Sequence, residues 1–235
     1  MRLKIKFGPN TAPVQRNVQH IISWLNEVLG IDNKYHKEKN KSYSISEMIG
    51  GFRNEDGTKL FPKSGFLCVS SDDMDFIKKI HKDAWNVPFS GGMQVMNISQ
   101  SIDEIFLNDE LNYMRTSLNG LVLYKRNEKG MSRDCTVFTD DEWVETLNES
   151  TKRKLHSINP DLDLSDFIIQ LSDAEDNKPS KVDFKDFYMY SSRVTLRVYG
   201  SVEIKKLLLT YGLGNLTACG FGMIYPTEQR SEYVG

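Results

Sequence analysis

The sequence predicts an α+β protein of two tandem ferredoxin-like (βαββαβ, RRM-like) domains with a central cleft. Three observations carry that expectation. Strand-like and helix-like segments succeed one another as strand, helix, strand, strand, helix, strand, and the order then repeats. The strand-like segments alternate apolar and polar residues with period two, whereas the helix-like ones repeat apolar residues every three or four. The 235 residues, 39% hydrophobic and 26% charged, are enough for two cores and contain no low-complexity tract.

The first unit opens with "MRLKIKF", where Leu3, Ile5 and Phe7 share one strand face and Arg2, Lys4 and Lys6 the other. A helix is expected over 13–29, with Asn10 or Thr11 as N-cap and Pro13 in its first turn. Its apolar stripe is Val14, Val18, Ile21, Ile22, Leu25, Val28 and Leu29, and Gly30 closes it. A basic loop, "IDNKYHKEKNK", leads into "SYSIS", a glycine-rich turn "GGFRNEDG" and the strand-like "GFLCVS". In "SDDMDFIKKIHKDA" acidic residues precede lysines, as a helix dipole prefers, and Phe76, Ile77 and Ile80 face inward. "GGMQVMNISQSI" supplies the fourth strand.

The second unit repeats the order. "GLVLYKRN" is its first strand, and "TDDEWVETLNESTKRKL" is a helix opened by a Thr139 to Glu142 capping box. "FIIQLS" and "RVTLRVYG" are strands, "SVEIKKLLLTYG" a short helix and "ACGFGMIY" the last strand. The domains divide near residues 115 to 119, giving 1–116 and 117–235.

Composition excludes several classes. A formal net charge of −2 announces no nucleic-acid partner, so any such claim must rest on local charge. No apolar h-region and no run of 18 apolar residues is present, which reads as cytoplasmic with no membrane partner. Cys68, Cys135 and Cys219 show no C-x-x-C spacing and are expected to be reduced packing residues. Asp72-Asp73 and Asp140-Asp141 read as helix-start residues rather than metal ligands, and neither a metal site nor a cofactor is expected. His81 and His156 fall near helix C-termini, where positive charge is favourable.

The stretch "GLGNLTACGFGMIYP" places Gly212, Gly214, Gly220 and Gly222 within eleven positions. It follows a helix instead of opening one, which excludes a dinucleotide fingerprint or a Walker loop. Gly212 or Gly214 most simply ends the helix. Within "CGFGMIY" strand alternation puts Cys219, Phe221, Met223 and Tyr225 on one face and leaves Gly220 and Gly222 bare on the other, which invites a bulge or a close approach by backbone or ligand. G-L-G, five residues, then G-F-G at the end of a second ferredoxin-like half resembles the glycine-rich loop of the RAMP superfamily of CRISPR-associated proteins, above all its repeat-processing endoribonucleases. His36, after the first helix and shortly before "KSYSIS", stands where that family commonly carries a catalytic histidine.

The resemblance implies metal-independent cleavage of precursor crRNA by its own 2′-hydroxyl, leaving a 2′,3′-cyclic phosphate and a 5′-hydroxyl. Such a reaction needs a base, an acid and positive charge near the phosphorane. His36 can move protons near neutral pH. Lys39 or Lys41 is the candidate catalytic lysine, while Lys34 and Lys37 add phosphate-holding charge. The family's tyrosine from the first helix is missing here, and His20, Tyr35 or Tyr43 is the candidate replacement. Gly212, Gly214, Gly220, Phe221 and Gly222 are the candidate RNA-binding loop. Arg2, Lys4 and Lys6, with Arg193, Thr195, Arg197 and Tyr199, form two polar strand faces that suggest a shared phosphate-tracking cleft. The implied partners are CRISPR repeat RNA and an effector complex, with homodimerisation open. Two rival readings stay open: a non-catalytic RNA-binding subunit of the same superfamily, and a tandem ferredoxin-like module that binds a small ligand or protein.

Overall fold

The computed structural model describes residues 1–14, 17–30, 33–37, 42–53, 58–127, 130–184 and 187–227. The first unit runs β1 (Arg2–Phe7), β2 (Asn10–Val14), α1 (Asn17–Leu29), α2 (Lys34–Lys37), β3 (Tyr43–Ile45), β4 (Phe52–Arg53), β5 (Lys59–Phe61), β6 (Gly65–Ser71), α3 (Met74–Asp83) and β7 (Val95–Gln100). The second runs β8 (Leu111–Thr116), β9 (Leu123–Asn127), β10 (Gly130–Thr136), α4 (Trp143–Ile158), β11 (Ile168–Leu171), β12 (Lys178–Phe184), β13 (Phe187–Arg193), β14 (Thr195–Tyr199), α5 (Val202–Tyr211) and β15 (Ile224–Thr227).

Two antiparallel four-stranded sheets result, ordered β3-β6-β1-β7 and β11-β14-β8-β15. Each is the ferredoxin-like order, with the first and third strands central. Leu3, Ile5 and Phe7 are buried under α1 and α3, where Phe7 meets Trp24 edge-on at 5.5 Å and Phe76, Ile77 and Ile80 close the other side. Met114, Leu196, Val198, Ile169 and Ile224 form the second core with Trp143, Leu147 and Leu155 of α4 and Ile204, Leu208 and Leu209 of α5. Burying each such side chain contributes about 1.5–3 kcal/mol, so each half holds its own core.

The structure corrects several elements. Residues 10–14 are a strand held by β5, with Asn10 opposite Phe61 and Val14 opposite Lys59, so α1 starts at Asn17 and Pro13 lies in β2. That pairing joins segments 45 residues apart, beyond the reach of a local pattern. The opening strand of the second sheet is Leu111–Thr116, ahead of 117, and 123–127 instead pairs with 130–136 as a separate hairpin. α4 begins at Trp143 after a Glu142 N-cap with no side-chain cap bond, so the Thr139 capping box is not formed. Asp140 accepts from Thr136 Oγ1 and the Val137 N–H, tightening the preceding turn. Arg193 ends β13, apart from the strand that holds Arg197. No helix among the described residues is long and apolar enough to cross a membrane.

Candidate functional site

The glycine-rich stretch is not a strand. Residues 217–219 form a 3₁₀ turn, Gly220 and Gly222 have φ of 85° and 66°, and β15 starts only at Ile224. What comes close to the backbone here is the chain's own backbone. A Cβ on Gly222 would fall on the Leu213 carbonyl oxygen, one on Gly214 on the Val122 carbonyl, and one on Gly212 at 2.8 Å from the Gly222 carbonyl. The Gly222 N–H donates to the Gly120 carbonyl, Leu213 N–H to Gly222 and Asn215 N–H to Val122, each at 2.8 Å. The loop is thus folded on itself and on residues 120–122. Phe221, expected on the RNA-binding side, is fully buried beside Phe184, Met189, Val18 and Val122, and so supports the loop from inside. The N–H groups of Gly214, Leu216 and Phe221 make no hydrogen bond among the described residues, and Gly214 and Leu216 are half-buried. Leu216 has a left-handed φ of 59°. Free N–H groups in such a turn are suited to an anion.

Where α5 delivers the chain into this loop, every terminal carbonyl meets a donor. The Gly212 N–H reaches Leu208 O at 2.9 Å, Arg2 Nη2 reaches Leu209 O at 2.7 Å and Ser44 Oγ reaches Thr210 O at 2.8 Å. Lys154 Nζ from α4 takes the carbonyls of Tyr211 at 2.8 Å and Gly212 at 3.1 Å. Two cations therefore sit at the negative end of the helix dipole. Burial pulls the Lys154 ammonium down to about 8.

The helix carrying position 36 lies beside the same end of α5. Asp73 caps α3 by accepting from the Asp75 and Phe76 N–H groups, and it also receives Lys34 Nζ at 3.1 Å and the Tyr35 hydroxyl from α2. Its neighbour Asp72 accepts from the Tyr211 hydroxyl at the end of α5. Two consecutive carboxylates thus tie α2 and α5 to the start of one helix. Burial raises the Tyr35 phenol above its ordinary value, and the ring packs edge-on to Phe76 at 4.9 Å. Only the backbone of His36 and Lys37 is described, and Lys39 and Lys41 lie outside the described residues. His20 is half-buried on α1.

The open faces of the two sheets meet at Arg2 and Tyr225. Arg2 lies over the Tyr225 ring at 5.1 Å, and Tyr225 stands opposite Arg115 on β8. Arg2 itself, expected on a phosphate-tracking face, is buried and fully engaged by Ser70, Asp103 and Leu209. Lys4 and Lys6 remain exposed, Lys4 over the Phe66 ring at 4.0 Å. Arg197 donates to the Leu171 carbonyl at 3.2 Å, Arg115 pairs with Asp176, and half-buried Arg193 stands opposite Lys178.

Three contributors escape the sequence pattern. Glu47 is fully buried and accepts the Leu118 N–H at 2.6 Å, fixing the 117–120 loop, from which Asn119 Nδ2 donates to the Gly220 carbonyl at 3.1 Å. In "TKRKL" Lys154 is one of three consecutive cations, with nothing to set it apart from its neighbours. The only available signal was the oddity of "SISE", a carboxylate directly after an apolar-faced strand. Among the described residues no three His, Cys, Asp or Glu side chains cluster as metal ligands would.

The family model "CRISPR associated protein Cas6, C-terminal" matches residues 107–226. A curated relative from Pyrococcus furiosus, a putative CRISPR-associated endoribonuclease-like protein Cas6, is 33% identical over 92 residues, which cover 39% of this chain and 37% of that protein. The aligned part therefore spans little more than a third of the relative. Among solved structures, a Cas6-related protein from Pyrococcus furiosus superposes with a TM-score of 0.77 at 22% identity, covering 98% of this chain and 99% of that one. A RAMP protein described as binding different RNA substrates gives 0.76 at 20% identity, covering 97% and 100%. At these identities the superpositions speak for the fold.

Proposed function

Since the chain belongs to the Cas6 family, we propose that it binds CRISPR repeat RNA and cleaves precursor crRNA by 2′-hydroxyl attack without a metal, leaving a cyclic phosphate and a 5′-hydroxyl. His36 transfers protons, Lys39 or Lys41 stabilises charge on the phosphorane, and the free N–H groups of the 212–222 loop take phosphate oxygens. The observation that carries this reading is the convergence at Asp72 and Asp73. They bind α2, which bears position 36, and α5, which feeds the loop, into one corner of the molecule.

The experiment is incubation of purified protein with repeat RNA in EDTA, with fragment ends identified by mass. Cleavage giving cyclic-phosphate ends, lost in His36→Ala while binding persists, is the expected outcome. A second reading, an RNA-binding subunit that does not cleave, draws support from the burial of Tyr35, which leaves the acid–base set short of one candidate. Tight binding with intact RNA would select it. A flat salt dependence of binding would remove RNA altogether, because phosphate contacts weaken as salt rises.

A further inference from the structure

Lys154 is a costly residue where it stands. Its stem is partly exposed, but its ammonium is buried and faces two backbone carbonyls, with no carboxylate partner among the described residues. A buried cation without a counter-charge weakens the fold, so a role other than folding would account for its place. Its two acceptors, Tyr211 and Gly212, are the last residue of α5 and the first glycine of the loop. Gly212 lies two residues before the free N–H of Gly214 and four before that of Leu216.

We propose that Lys154 is a positioning residue for RNA held at the glycine-rich loop: its charged ammonium pins the Tyr211 and Gly212 carbonyls, and this keeps the N–H groups of Gly214 and Leu216 in register for a phosphate. The proposal rests on the RNA reading above and deepens it. The group acts through the backbone and touches no reacting atom. Its charge also adds a positive field behind a loop whose eleven residues, 212 to 222, contain no charged side chain.

The surroundings isolate this titration. On α5 the phenol of Tyr211 is held by Asp72 and pushed up by burial, and Lys206 is exposed. On α4 Lys152, Arg153 and His156 are exposed, and β9 brings Tyr124 and exposed Lys125. Burial is the cause of the Lys154 shift, from 10.5 to about 8. The folded chain therefore releases this proton before the unfolded chain does. Between about pH 8 and pH 9.5 the Lys154 contribution makes the fold more stable while the loop loses its charged anchor. Stability and RNA affinity move in opposite directions, which a merely structural lysine would not produce.

The test measures repeat-RNA affinity at fixed ionic strength from pH 7 to about pH 9.5 for the wild type, Lys154→Arg and Lys154→Met, with thermal unfolding of each. Wild-type affinity is expected to fall about tenfold across the range, as one charge-assisted contact is lost. Lys154→Arg keeps its charge and should bind as the wild type does at pH 7 and stay flat above pH 8. Lys154→Met should bind about tenfold more weakly at every pH. Superimposable profiles of wild type and Lys154→Arg would overturn the proposal. Hydrogen exchange of the 212–222 amides, measured without RNA, covers the case where Lys154→Met unfolds or the RNA reading itself fails. Faster exchange in Lys154→Met than in Lys154→Arg supports the anchor, and equal rates remove it whatever the RNA result.

Discussion

The guanidinium of Arg2 donates to the carbonyl of Leu209 at 2.7 Å, joining the first strand of one half to the last helix of the other. The same group holds Ser70 Oγ at 2.8 Å and Asp103 at 2.5 Å, so one buried side chain fastens β1, β6, the inter-unit turn and α5. Arg2→Ala leaves a helix-terminal carbonyl and a carboxylate without their donor. It is expected to cost about 2–4 kcal/mol, read as a lowered unfolding midpoint. Arg2→Lys should recover less than half of that, because an ammonium does not reproduce the planar fork. Wild-type stability in Arg2→Ala would show that the two halves are held elsewhere.

Asp73 offers a way to loosen α2 without breaking α3. Asp73→Asn keeps an N-cap acceptor, so stability near neutral pH should change by less than about 1 kcal/mol, while Lys34 loses its counter-charge. Cleavage of repeat RNA is then expected to fall about tenfold, through misplacement of the helix that bears position 36. Burial pushes the Asp73 carboxyl up, but the Phe76 amide, Lys34, Tyr35 and the Asp75 amide together bring it below its ordinary 3.8. A carboxyl lowered in the folded state stabilises above its unfolded value and loses that contribution as pH falls through the folded one. Acid unfolding of the wild type should therefore steepen below about pH 4, and Asp73→Asn should lack that component.

Most of the fold was legible because its signals are local. Leu3, Ile5 and Phe7 alternate, Phe76, Ile77 and Ile80 fall on one helical face, and both sets reach the core expected of them. The errors share one cause. Val14 fits a helical stripe as well as a strand, and only pairing with Lys59 decides between them. Leu111–Thr116 became a central strand through partners that lie some eighty residues away and more. At the site, the glycines were legible as a demand for close approach, but not what approaches: Gly222 meets Leu213 within the same loop. Glu47 and Lys154 were hidden because a charged residue placed inside the fold by tertiary contacts looks, in sequence, like one in solvent.

Gly222 and Gly220 separate a steric demand from a conformational one. Gly222→Ala must displace the Leu213 carbonyl and hold a left-handed backbone, so about 3 kcal/mol or more of destabilisation is expected, with loss of RNA binding. Gly220→Ala meets nothing nearer than 3.6 Å and carries only the cost of its φ of 85°, about 1 kcal/mol. Unfolding midpoints and RNA affinities of the two variants check this. Equal effects would mean the loop relaxes around either methyl group.

In the proposed reaction Tyr35 and His20 are candidates for the third catalytic role, and their surroundings differ. Tyr35 is 4% exposed, its ring is clamped by Phe76 and its hydroxyl is given to Asp73. A phenol whose proton is held more tightly than usual is a poor base near neutral pH, and one sealed in the core does not reach a phosphate. Tyr35→Phe keeps the packing and removes only the hydroxyl, so single-turnover cleavage should stay within about threefold of the wild type, with a stability loss near 1 kcal/mol. His20→Ala, at a half-buried position on α1, should lower cleavage by about tenfold or more at unchanged RNA affinity if it moves a proton. A hundredfold fall in Tyr35→Phe with normal binding would reverse the assignment, and it would require α2 to swing out of the core when RNA binds.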